Sequence, residues 1–164
     1  MVDCASDHRQ HPTVADTHDD RVTTTTDALT VLKGMYAAEQ QYLDAGGPGS
    51  ASFAPLAPFF APDVVLHQAA GLPFGGTWRG HDGMERFFVA MSAAWESFTM
   101  LEQEFHPAGD VVVVRTQVRA TVRGSGRELE FPILQSVRVV DGRITEVWPF
   151  YWDTAEIAAA AATA

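Results

Sequence analysis

The sequence has a single cysteine, Cys4, so no intrachain disulfide can form, and its opening residues MVDCASDHRQ lack the apolar core of a secretory signal. Both absences make a reducing, cytoplasmic setting the expectation. There is one lysine, Lys33, and ten arginines against 21 acidic residues, which leaves a formal net charge of −10. That is the opposite of the basic surface that nucleic acids or anionic membranes attract, so neither is expected as a partner. No apolar run approaches the ~18 residues of a membrane span. What is present, 164 residues with 46% hydrophobic and 20% charged, suits one domain that buries about two-thirds of its surface.

Residues 1–26 carry five acids and two bases without apolar periodicity and read as a disordered tail. The irregular spacing of His8, His11 and His18 there gives no metal-ligand pattern, and no metal site is expected. From Asp27 to Asp44, Ala28, Leu32, Met35, Tyr36, Tyr42 and Leu43 recur at helical spacing, with Asp27 placed as a cap and Gly46-Gly47-Pro48-Gly49 as a stop. Phe53, Leu56, Phe59 and Phe60 share a face of a short second helix over 52–60, ended by Pro62 and Asp63. Residues 64–68 read as a short strand, LPFGGTWRG as a glycine-rich loop, and 82–95 as a third helix with Met84, Phe87, Phe88, Met91 and Trp95 on one stripe. After Trp95 the period falls to two, which predicts strands over 97–106, 110–123, 128–140 and 143–152, the last pair joined by the hairpin signal Asp141-Gly142. Helices followed by a strand meander predict an α+β domain over 27–157, with helices on one face of a mainly antiparallel sheet and 158–164 as a short tail.

Polar residues on apolar faces are the candidates for chemistry. In 128–140 the odd positions Leu129, Phe131, Ile133, Val137 and Val139 are apolar, and Gln135 interrupts them. A buried amide needs partners, either backbone groups or a ligand in a pocket. Glu39 lies one turn from Met35, Tyr36, Tyr42 and Leu43, on or beside the helical stripe, where desolvation raises a carboxyl pKa and suits it to acid–base work. Strand alternation lets only one of His67 and Gln68 face a given pocket. His67 has the better acid–base chemistry near neutral pH. His81 and His106 fall at a helix start and a strand end, positions suited to capping or surface roles.

The text PFFAPDVVLHQ, then LPFGGTWRGHDGMERFF, a strand meander and VVDGRITEVWPFYWDT resembles the nuclear transport factor 2-like superfamily, and more narrowly its SnoaL-like polyketide cyclase and ketosteroid isomerase branch. The resemblance covers about residues 27–157. It implies a cone-shaped, curved sheet wrapped around about three N-terminal helices, one apolar pocket, and often a homodimer. Carried across without gaps, the isomerase pattern puts Gln68 at the base aspartate, Gln135 near the protonated aspartate and Glu39 near the oxyanion-hole tyrosine. Both acids and that donor are replaced here, so the steroid-isomerase mechanism does not transfer intact. The cyclases of this branch are expected to use a His and Asp pair, for which His67 and Asp153 are the analogue.

Together these readings imply an enzyme for acid–base cyclisation or isomerisation of a hydrophobic, polyketide-like or terpenoid-like small molecule, with no cofactor. Glu39 or His67 moves the proton, and Gln68 and Gln135 hold a carbonyl or enolate oxygen. Tyr36, Leu66, Phe74, Trp78, Phe87, Phe88 and Tyr151 shape the binding walls, with Asp153 beside them and Arg79 at the mouth. A non-catalytic binding or dimerisation module and an epoxide hydrolase or dehydratase on the same fold are the alternatives.

Overall fold

A computed structural model describes residues 27–162. The tail over 1–26, with Cys4, His8, His11 and His18, lies outside the described residues.

Helix α1, Ala28–Asp44, turns Ala28, Val31, Leu32, Met35 and Tyr42 into the core. Asp27 precedes it, but its side chain makes no capping hydrogen bond. The short helix over 52–60 is not formed. Its apolar residues do turn inward, but as turns and one 3₁₀ turn over Ala57–Phe59, because Pro55 and Pro58 each remove a backbone donor. Strand β1, Phe60–Gln68, starts earlier than its sequence pattern predicts and runs through Pro62, which a register shift between Phe60 and Val65 accommodates. The glycine-rich loop contains a short edge strand, β2, Gly76–Arg79, which leads directly into helix α2, Gly80–Ala94.

The meander follows as β3, Trp95–Ala108, β4, Val111–Val122, β5, Glu128–Val140, and β6, Arg143–Tyr151. Asp141 and Gly142 take positive φ, 50° and 73°, the geometry of a tight hairpin between β5 and β6. Helix α3, Thr154–Ala162, buries Ile157 and Ala160, so residues 158–162 join the fold instead of forming a tail. The third helix is thus C-terminal, not one of an N-terminal group.

The six strands form one unclosed sheet in the order β2-β1-β6-β5-β4-β3. Every described neighbour pair is antiparallel except β1 with β6. Register shifts in β1, β3 and β5 bend the sheet, and α1 and α2 lie against the concave side. One face is sealed: Val112, Val114, Val118, Ala120 and Val122 are each 1% exposed or less. The other face keeps large apolar groups in solvent, including Leu134, Trp148, Phe150 and Trp152.

Candidate active site

Between α1, α2 and the concave sheet lies a cavity of about 100 Å³. α1 lines it with Met35, Tyr36, Glu39, Gln40 and Leu43, and α2 with Met84, Phe87, Phe88 and Met91. The floor comes from Leu66 and Gln68 of β1, Ile133, Gln135 and Val137 of β5, and Ile144, Val147, Pro149 and Tyr151 of β6, with Phe98 and Met100 of β3 at one side. Four of the chain's five methionines are in this lining. Gln40, exposed on α1, marks where the cavity meets solvent.

Helical spacing brings Tyr36 and Glu39 onto the same wall. Glu39 is half-buried on the cavity wall, and desolvation of its carboxyl by the surrounding protein raises its pKa from 4.5 to about 7. Among the described residues no cation offsets that desolvation. Burial raises the Tyr36 hydroxyl well above the usual phenol range, and the Glu39 carboxylate and Tyr151 push the same way. Tyr151 is raised by burial too and by Glu39, while a hydrogen bond from the Gln68 amide opposes the shift. Both phenols therefore keep their protons across the physiological range and remain donors.

Gln135 accepts a hydrogen bond from the Tyr36 hydroxyl at 3.3 Å, which leaves its amide hydrogens free to face the cavity. Gln68 is 8% exposed, and its Oε1 has no hydrogen-bond partner among the described residues. In β1 the alternation resolves in favour of Gln68. His67 points to the opposite face, where its ring stacks on Trp148 with centroids 3.7 Å apart and Nε2 lies 3.1 Å from Glu146 Oε1.

The other sequence candidates divide in the same way. Leu66, Phe87 and Phe88 line the cavity as expected positions on their elements require. Phe74 does not: it is buried behind the wall, against Phe87, Trp95 and Tyr151. Trp78 also stays outside, its indole donating to the Phe74 carbonyl at 3.2 Å and its ring edge-on to Phe87. Arg79 is exposed on the edge strand β2, and Asp153 is exposed at the start of α3, where Oδ1 accepts from the Glu156 N–H at 2.8 Å. Asp153 is therefore a helix cap, and the carboxylate that meets His67 is Glu146. His81 bonds the Phe60 carbonyl at 3.1 Å, and His106 is exposed.

Met35, Met84 and Met91, read from the sequence as apolar stripe positions, and Met100 and Pro149 also line the cavity, although none of them was expected in its walls. The α2 stripe signals Met91, and the alternation of β6 puts Pro149 with Tyr151. Met100 has no such signal, because β3 carries a bulge between Met100 and Glu102. Among the described residues no three His, Cys, Asp or Glu side chains group to hold a metal ion, and no helix is long and apolar enough to cross a membrane.

The sequence profile of the SnoaL-like domain family matches residues 40–147. No curated protein matches by sequence. Among solved structures, a nuclear transport factor 2-like protein from Burkholderia xenovorans is similar at 22% identity, over 84% of this chain and 97% of its own, with a TM-score of 0.71. TerC, co-crystallised with polyporic acid, is similar at 20% identity over 82% of this chain and 98% of its own, with a TM-score of 0.69. A candidate SnoaL-like polyketide cyclase from Jannaschia is similar at 16% identity over 79% and 93%, with a TM-score of 0.61. At these identities the likeness concerns the fold.

Proposed function

The chain belongs to the SnoaL-like domain family, and within that fold we propose that it is a cofactor-independent enzyme that isomerises or cyclises a small hydrophobic carbonyl compound by moving a proton through Glu39. The observation that carries this reading is the half-buried Glu39 carboxyl on the wall of an apolar cavity, where desolvation raises its pKa to about 7. Such a group holds comparable amounts of acid and base at neutral pH, the condition under which one residue can both take and return a proton.

In this mechanism the Glu39 carboxylate removes a proton from carbon next to the substrate carbonyl. The electron pair moves onto the carbonyl oxygen, giving an enolate held by the Gln135 amide hydrogens and the Tyr151 hydroxyl. The hydrogen bond from Tyr36 to Gln135 Oε1 polarises that amide and strengthens its N–H donors. Where the substrate carries a carbon–carbon double bond conjugated with that enolate, protonated Glu39 returns the proton to the far carbon of the dienolate, which moves the double bond and completes an isomerisation; without one it returns to the original carbon, which is the exchange reaction. Alternatively the enolate carbon attacks a second carbonyl in the same molecule, and the proton goes to the new alkoxide. Either route balances without a co-reactant.

A cavity of about 100 Å³ suits a single ring. The flexible thioethers of Met35, Met84, Met91 and Met100 allow reshaping around a larger polyketide-like or terpenoid-like skeleton. The test is deuterium exchange at the carbon next to the carbonyl of single-ring ketones in heavy water, followed by NMR. Catalysed exchange that falls roughly 10²-fold in Glu39→Gln supports the assignment. Equal exchange by the two proteins overturns it, and binding without exchange points to a carrier.

A further inference from the structure

Gln68 is the least explained group in the cavity. It is 8% exposed, it sits on the floor, and its Oε1 accepts nothing from the described residues. An orphan acceptor in an apolar cavity loses any hydration when a ligand fills the space, so it selects for a ligand that brings a donor. Gln135 presents the opposite need: its oxygen is occupied by Tyr36, and its amide hydrogens call for an acceptor.

The sheet sets the distance between these two demands. Gln135 is the register partner of Pro149. Leu66 is level with Val147 in the parallel pair, so two residues on, Gln68 comes level with Pro149 from the other side. Adjacent strands are roughly 4.8 Å apart, which puts the two glutamine backbones roughly 10 Å apart, flanking Pro149.

We propose that the substrate carries, on the side of the ring away from its reacting carbonyl, a hydroxyl that donates to Gln68 Oε1, and that Gln68 selects for it. This deepens the proposed function, resting on the cavity as a substrate site and not on the proton-moving role of Glu39. The ligand class is therefore a cyclic hydroxyketone.

The probes are 4-hydroxycyclohexanone, cyclohexanone and 4-methoxycyclohexanone, with affinity measured by calorimetry and exchange by NMR. The hydroxyketone is expected to bind about tenfold or more tighter than cyclohexanone. Gln68→Met, similar in length but without the acceptor, should abolish that preference. Gln68→Glu, which restores an acceptor, should recover it. A merely structural Gln68 would weaken all probes alike in Gln68→Met, and that result overturns the inference. Equal binding of the methyl ether, which accepts but cannot donate, also overturns it, because Gln68 would then be presenting its N–H. Hydroxyl preference without Glu39-dependent exchange keeps this inference and removes the proposed chemistry, whereas exchange without preference does the reverse. No binding by any probe rejects a ring-sized substrate and this inference with it.

Discussion

Tyr36 and Glu39 lie one turn apart on α1 and face the same cavity, so the carboxylate opposes ionisation of the phenol and helps keep its proton in place. That hydroxyl donates a hydrogen bond to Gln135 Oε1, ninety-nine residues away in the chain. The donor chain runs in one direction, from phenol to amide to ligand.

Tyr36→Phe removes the start of that chain. Turnover is expected to fall roughly tenfold or more, with KM nearly unchanged, because the lost polarisation matters most when negative charge develops on the substrate oxygen. Stability should fall by about 1 kcal/mol as Gln135 loses its partner. Steady-state kinetics on any ketone that shows exchange, with a denaturant melt, measures both.

Glu39 makes stability depend on pH in a direction opposite to most carboxylates. Its folded pKa is about 7 against 4.5 ordinarily, so between those values the folded protein holds a proton that the unfolded chain releases. Below about pH 4.5 both states are protonated and Glu39 costs nothing. Stability then drops as pH rises toward 7, and above it the deficit reaches about 3 kcal/mol. Glu39→Gln should be more stable than the parent at pH 8 and equal to it at pH 4. Tm measured for both proteins from pH 4 to 8 isolates the effect, since all other carboxylates cancel in the difference. A constant gap would show that Glu39 is not buried.

His67→Asn should leave exchange activity within about twofold of the parent, because His67 stacks on Trp148 outside the cavity. Asp153→Asn should behave likewise, since Asp153 caps α3. A loss of 10²-fold in either would restore the His and Asp pair to the mechanism.

Gly75→Ala is expected to destabilise the fold by about 2 kcal/mol or more. A Cβ there would meet the Ala69 carbonyl oxygen at 2.5 Å, and the Ala70 and Leu72 carbonyl oxygens each at 2.9 Å. Backbone atoms cannot swing aside as side chains do. A thermal melt of this variant suffices as the check.

Much of this architecture was legible because period and turn chemistry are local. The change of period after Trp95, the Asp141-Gly142 hairpin and the α1 stripe each declare an element from a few neighbouring residues, and Glu39 and Gln135 stand out as polar breaks in apolar faces. The region over 52–80 was less legible. There the apolar spacing of Phe53, Leu56, Phe59 and Phe60 imitates a helix, but the prolines deny it the backbone donors it needs. The short strand β2 hides in a glycine-rich stretch because it exists only by pairing with β1. Which of His67 and Gln68 enters the cavity depends on how β1 docks beside β6, eighty residues later, a relation that no local pattern carries. The same limit explains Phe74 and Trp78, aromatic residues that read as walls and are packed behind one.

The parallel pairing of β1 with β6 also imposes an order on synthesis. Strand β1 leaves the ribosome with its hairpin partner β2 soon after it, yet the neighbour on its other side is encoded at residues 143–151. Through translation of α2 and of β3, β4 and β5, one edge of β1 and the apolar side of α1 wait without their final cover. The floor positions Pro149 and Tyr151 are among the last to arrive. The cavity wall around Glu39 is therefore complete only once the final strand has docked.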